Sequence, residues 1–236
     1  MRDECDRGMV LKENKLKLET TSFSLHIMAM LFMLCDHLWG TIVAGNDWLT
    51  CIGRLTFPIY AFMIVEGYFN TKNLKKYVGR LLLFAIISEI PFNLAMGSRI
   101  FYPIHQNVLW SFLIAIGLIY WNEKVKEKNI WKRIFVGIAT VCIAYIGGII
   151  TFVDYYNAGI LMVLVFYAFR GKKWWCYLGQ VLCLGYINLE ILGGFSYMVN
   201  IFGQTHYIAR QGFALFALIP IWMYKGKQGY HSKALQ

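Results

Sequence analysis

The sequence predicts an all-α, polytopic membrane protein: one helical bundle of about eight transmembrane helices with both termini cytoplasmic. Three observations carry this. Of 236 residues, 58% are hydrophobic and 15% charged, whereas soluble domains carry about 25% charged residues. The apolar residues fall into runs long enough to cross a hydrocarbon core of ~30 Å as helices of ~20 residues. The cations sort into alternate loops, the pattern that sets membrane orientation.

The spans are read at about 23–43, 48–69, 75–96, 105–121, 132–150, 153–169, 174–192 and 205–224. One set of connections holds the amino-terminal arm, Lys72, Lys75 and Lys76, the stretch from Lys124 to Arg133, then Arg170, Lys172 and Lys173, and finally Lys225, Lys227 and Lys233. The opposite set holds Arg99. The cation-rich loops therefore face the cytoplasm. The same distribution accounts for the formal charge of +10 without nucleic acid as a partner. Residues 1–19 are polar and mixed in charge, a cytoplasmic arm rather than a cleavable signal peptide. Residues 230–236 are a cytoplasmic tail. The 8 Trp, 15 Tyr and 17 Phe suit interfacial belts. The six cysteines are scattered, so neither zinc-ligand spacing nor a disulfide framework is indicated.

The first span, TTSFSLHIMAMLFMLCDHLWG (Thr20–Gly40), sets Asp36 and His37 two thirds of the way across. An aspartate near mid-span costs roughly 2.5–3.5 kcal/mol on insertion scales, and such residues commonly mark a site. His26 lies eleven positions before His37, close to three helical turns, so the two rings share a face. In the second span, GRLTFPIYAF (Gly53–Phe62) places a proline where it removes a backbone donor, opening the helix near Arg54 or merely kinking it. EGYFNTKNLKKYVGRLLLF (Glu66–Phe84) turns on the cytoplasmic side, with Lys72, Lys75, Lys76 and Arg80 either signalling topology or forming a phosphate-binding mouth. ISEIPFNL (Ile87–Leu94) pairs Glu89 with Pro91 in mid-membrane. VDYYNAG (Val153–Gly159) puts Asp154 at the outer start of the sixth span, where a helix N-cap is the plainer reading. Asp36, His37, Asp47, Arg54, His105, Asn107, Asp154, Glu190, His206 and Arg210 fall near the outer face, with Glu89 a little deeper and Glu66 and Arg80 inward.

SFSLHIMAMLFMLCDHLWG and GRLTFPIYAFMIVEGYFNTKNLKKYVGRLLLFAIISEIPFNL, with looser matches in VDYYNAGIL and QGFALFALIPIWMYKGKQG, resemble the TraX family of conjugal-transfer membrane proteins. The resemblance runs from about Thr20 to Gly229, making 20–229 one TraX-like transmembrane domain. It implies a multi-pass protein of the bacterial cytoplasmic membrane and acetyl transfer, the named member being associated with N-terminal acetylation of pilin. The family is distantly similar to the type-3 transmembrane acyltransferases, whose pattern falls on His26, His37, Arg80 and Pro91. His26 departs from the usual Lys or Arg, and members usually continue into a further aromatic span.

The expected chemistry is acetyl transfer from cytoplasmic acetyl-CoA to an outer acceptor, whether peptide amine, glycan or lipid. It needs a base for the nucleophile and donors for the oxyanion. His37 is expected as the base, oriented by Asp36, or by Glu89 or Asp154, because adjacent helix residues point about 100° apart. Arg54 is expected to contact a carbonyl or the acceptor. Arg80, Lys72, Lys75, Lys76 and His26 are expected to hold the anionic donor. The alternatives are a proton-coupled transporter or flippase, relaying protons through Asp36, His37, Glu66 and Glu89, and a non-catalytic partner in an assembly or transfer machine.

Overall fold

The computed structural model describes residues 20–43, 45–194, 196–201 and 204–229. The helices are α1 (Ser22–Thr41), α2 (Asp47–Gly53), α3 (Thr56–Asn70), α4 (Leu74–Gly97), α5 (Val108–Val125), α6 (Ile130–Ile150), α7 (Tyr156–Ala168) and α8 (Trp174–Tyr186). A π turn (Ile187–Ile191) extends α8. Then come an antiparallel hairpin of β1 (Ser196–Ile201) and β2 (Gln204–Ala209), a 3-10 segment (Arg210–Ala217) and the short α9 (Leu218–Trp222). Five helical stretches, with α2–α3 taken as one, are long and apolar enough to cross a membrane. The protein is an all-α membrane bundle with a small β excursion.

The bundle is built around α7. Its residues Ala158, Gly159, Ile160, Met162, Val163, Leu164 and Phe166 are buried, a helix apolar all round and packed on several sides. It lies against α3, α5 and α6. At Gly148 of α6 an added Cβ would fall 2.6 Å from the Asn157 amide nitrogen, so glycine sets the spacing of α6 and α7. Helices α1 and α4 lie at the rim: Leu25 and Ala29 are the buried residues of α1, and its Leu31 and Leu34 are exposed. In a membrane protein such surfaces meet lipid.

The expected second span is interrupted. Helix α2 ends at Gly53 and α3 begins at Thr56. The cause is Pro58, whose ring crowds the carbonyl four residues earlier, that of Arg54, and which has no N–H to bond it. Pro91 does not interrupt α4, which runs on to Gly97.

The expected last span at 205–224 is corrected. Residues 204–209 form β2, and the following residues wind as a 3-10 segment before the five residues of α9. Gly193 and Gly194, at φ 54° and 102°, take backbone conformations that other residues adopt at a cost and release the chain from the π turn. Alternating β-branched and aromatic residues then favour strand, as in SYMVNI.

The ends of the described chain meet on one face. Thr20, Ser22 and Phe23 donate backbone hydrogen bonds to the carbonyls of Met223, Lys227 and Gln228 at 3.1, 2.9 and 3.1 Å. Helix polarity then puts Asn70, the start of α4 and Ala168 on that same face. The ends of α1 and α4, and the starts of α5 and α7, lie on the opposite one.

Candidate functional site: two polar layers in an apolar bundle

On the face remote from the chain ends, Asp36 turns from α1 towards α2. Its Oδ1 accepts from Arg54 Nη2 at 2.9 Å and from Thr50 Oγ1 at 2.8 Å, while Arg54 also donates to Thr50 Oγ1 at 2.8 Å. Gly53 makes the approach possible, because a Cβ there would fall 2.6 Å from Asp36 Oδ1. Beside this pair, Arg210 bridges to Asp47 Oδ1 at 2.9 Å with its guanidinium over the Trp39 ring. The 3-10 segment is thereby pinned to α1 and α2.

A second group sits where α4, α5 and α7 end or begin. Gln106 N–H donates to Phe152 O, and Asp154 N–H to Gln106 O, both at 2.8 Å, stitching the loop before α5 to the loop before α7. Residues on either side of that stitch each hold a carboxylate. His105 Nε2 lies 3.3 Å from Asp154 Oδ1. Asn107, the N-cap of α5, donates through its amide to Glu89 Oε2, and Trp110 Nε1 donates to the same oxygen at 3.0 Å. Glu89 Oε1 is buried with no hydrogen-bond partner. The hydrogen bond to Asp154 holds the His105 imidazole above its usual range; burial opposes this, and the nearby Glu89 charge adds to it.

Tyr155 connects the two groups. Its ring stacks on Phe57 at 4.3 Å. Burial pushes its phenol up, and the charges of Asp154, Arg54 and Asp36 all act on it. Phe152, Tyr155 and Tyr156 all have positive φ, of 51°, 60° and 46°. For bulky residues this is strained, at about 1–3 kcal/mol each, and such strain clusters at functional sites.

The other face carries the second layer. Glu66 Oε1 accepts from Arg170 Nε at 2.8 Å, and Oε2 from Asn70 at 3.1 Å. Arg170 stacks over Phe69. Two cavities of 360 and 440 Å³ meet there and share Phe62, Glu66, Asn70, Tyr224 and Gly226 in their walls. The smaller is also lined by Arg170, Lys172 and Lys225, the larger by His26, Tyr77 and Gln228. Each falls within the usual size of a small-molecule site, about 300–1,000 Å³. A separate open groove runs along Lys72, Lys76, Arg80 and Leu83.

The expected site residues thus separate. Asp36 and Arg54 meet directly. Glu89 joins Asn107 and Trp110 rather than His37. His37 is exposed near the end of α1, where its carbonyl accepts from Thr41 Oγ1; Asp36 turns to α2, and Asp154 pairs with His105. Lys72, Lys76 and Arg80 share the groove, with Lys75 exposed on the same turn. His26 lines the larger cavity and its Nδ1 lies 2.9 Å from Ser22 O. Sequence reasoning placed Arg170, Lys172 and Lys225 only as topology signals. The Arg170–Glu66 contact joins residues 104 apart in the chain, which no local pattern shows. The side chain of His206 lies outside the described residues.

The chain shares 37% identity over 76 residues with a "Probable fimbrial assembly protein FimC, serogroup H1" of Dichelobacter nodosus, a match covering 30% of this chain and 31% of that protein. It therefore spans about a third of that relative's length. No solved structure matches it. The family model described as "TraX protein" matches residues 22–233, nearly the whole transmembrane bundle. The chain belongs to the TraX family.

Proposed function

We propose that the protein is a membrane acetyltransferase of the bacterial cell membrane, taking acetyl groups from cytoplasmic acetyl-CoA and passing them to an acceptor at the outer face. The observation that carries the reading is the pair of polar layers at opposite ends of one apolar bundle. Towards the chain ends are cavities lined by Arg170, Lys172, Lys225 and His26, with the Lys72–Arg80 groove nearby. Guanidinium and ammonium groups suit the phosphates of a coenzyme A. Towards the other face are Asp36, Arg54, Glu89 and the His105–Asp154 pair, groups able to move protons and steady developing charge. His37 belongs to that outer group by its place beside Asp36. With the cationic loops inside, both termini are cytoplasmic. The acceptor is a peptide amine, glycan or lipid; the FimC name points to surface-fibre assembly as one setting.

Sided proteoliposomes test this. Labelled acetyl-CoA supplied on the Lys72–Lys76 side should label an acceptor confined to the other side. Transfer only when donor and acceptor share a compartment would reject the through-membrane path. A protein that binds no acetyl-CoA would reject the enzyme class.

A further inference from the structure

We propose that His105, paired with Asp154, is the base that activates the acceptor, and that Glu89 receives a second N–H or O–H of the acceptor, other than the one His105 deprotonates. This rests on the acetyltransferase reading and assigns the proton-transfer step within it to a histidine that the pattern of the first span does not select.

The geometry supplies each part. Asp154 Oδ1 lies against His105 Nε2, so the favoured neutral tautomer carries its proton there and leaves a lone pair on Nδ1. Asp154 is itself fixed: Tyr155 N–H donates to its Oδ1 at 3.0 Å, and Ser111 Oγ to its backbone carbonyl at 2.9 Å. The imidazole is oriented by rings, Phe92 edge-on at 5.2 Å and Tyr156 parallel at 6.3 Å. Its side chain is 27% exposed and that of Asp154 29%, enough for an acceptor to reach them from the outer side. Packing of this kind holds a base in one orientation. His37 has no such orienting partner among the described residues.

Glu89 provides the neighbouring contact. Three donors converge on Oε2, from the Asn107 backbone, the Asn107 amide and Trp110. Oε1 is left buried and unpartnered. A buried carboxylate oxygen without a donor is costly, and a substrate N–H or O–H would satisfy it. The strained turn at 152–156 holds Asp154 in place, in the kind of segment where strain accompanies function.

In the step, the acceptor's nitrogen or oxygen forms a bond to the acetyl carbonyl carbon as its proton passes to His105 Nδ1. The resulting imidazolium is balanced by Asp154. The carbon–sulfur bond then breaks, and coenzyme A leaves as thiolate and takes up the proton that the His105 imidazolium gives back, returning the base to its neutral form. Acetyl-CoA and X–H become acetyl–X and free coenzyme A, with no oxidant or further reactant.

The test uses the full chain in envelope vesicles of a host lacking the gene, with labelled acetyl-CoA as donor and the envelope as acceptor. His105→Ala should lower transfer by about 10²–10⁴-fold, the usual loss for a general base, with acetyl-CoA affinity unchanged. Added imidazole should restore part of the activity, which a purely structural histidine would not allow. Glu89→Gln should raise the acceptor KM without changing donor affinity. If His105→Ala does not fold, His105→Ser, which also leaves room for imidazole, replaces it in the same assay. Wild-type turnover in the His105 variant, or a loss that imidazole leaves untouched, overturns the inference alone. A wild-type protein that binds no acetyl-CoA overturns it together with the acetyltransferase reading.

Discussion

Arg54→Met removes the guanidinium that holds Asp36 on the outer side of the bundle. Arg54 donates one hydrogen bond to the carboxylate at 2.9 Å and one to Thr50 Oγ1 at 2.8 Å. The guanidinium is charged, so both are charge-assisted hydrogen bonds, which contribute about 1.5–3 kcal/mol each where solvent is excluded. The two side chains are 23% and 27% exposed, so solvent screens part of this. The expected destabilisation is about 2–3 kcal/mol. Most of it reflects Asp36 left with Thr50 as its remaining donor among the contacts described. Neutralising that carboxylate should therefore recover stability: Asp36→Asn in the Arg54→Met background should lie closer to wild type than Arg54→Met alone. Reversible unfolding in bicelles, run as a double-mutant cycle, measures this coupling. A coupling below about 0.5 kcal/mol would refute the argument, because distant, independent sites already add to within that margin.

Other expectations follow from the same geometry. Gly53→Ala forces a methyl to within 2.6 Å of Asp36 Oδ1, and the overpacking should cost about 1–3 kcal/mol in the same unfolding assay; a neutral result would mean that α1 and α2 separate freely. His105 has a folded pKa raised above its ordinary 6.5, so its stabilisation is fully present below that value and is lost as pH rises through the folded pKa. The melting temperature of wild type relative to His105→Gln should accordingly fall from pH 6.5 upwards, and a constant difference would refute the pairing. Arg170→Ala leaves Glu66 without its cation at the junction of the two cavities, so coenzyme A affinity should fall more than in Arg99→Ala, measured by calorimetry. A single cysteine at Asp47 should react with a reagent added from outside and one at Asn73 should not; the reverse would overturn the orientation.

The sequence alone determined the class of the protein and the course of most helices. Apolar run length is a local property, and a chain with 58% hydrophobic residues has few ways to cross lipid except as helices. The break near Arg54 was also legible, since Pro58 acts on the carbonyl four residues before it wherever the helix is placed. So was the divergence of Asp36 and His37, which follows from 100° per residue. The hairpin was not, because residues 205–224 are apolar enough to pass for a span and only cross-strand bonds to 196–201 make 204–209 strand. Partners were beyond reach as well. Asp36 with Arg54, His105 with Asp154 and Glu66 with Arg170 lie 18, 49 and 104 positions apart. Helical periodicity gives each residue a direction about its own axis but does not say which helix lies there. The packing of α7 at the centre and α1 and α4 at the rim decides that, and with it which histidine has a carboxylate and which stands exposed.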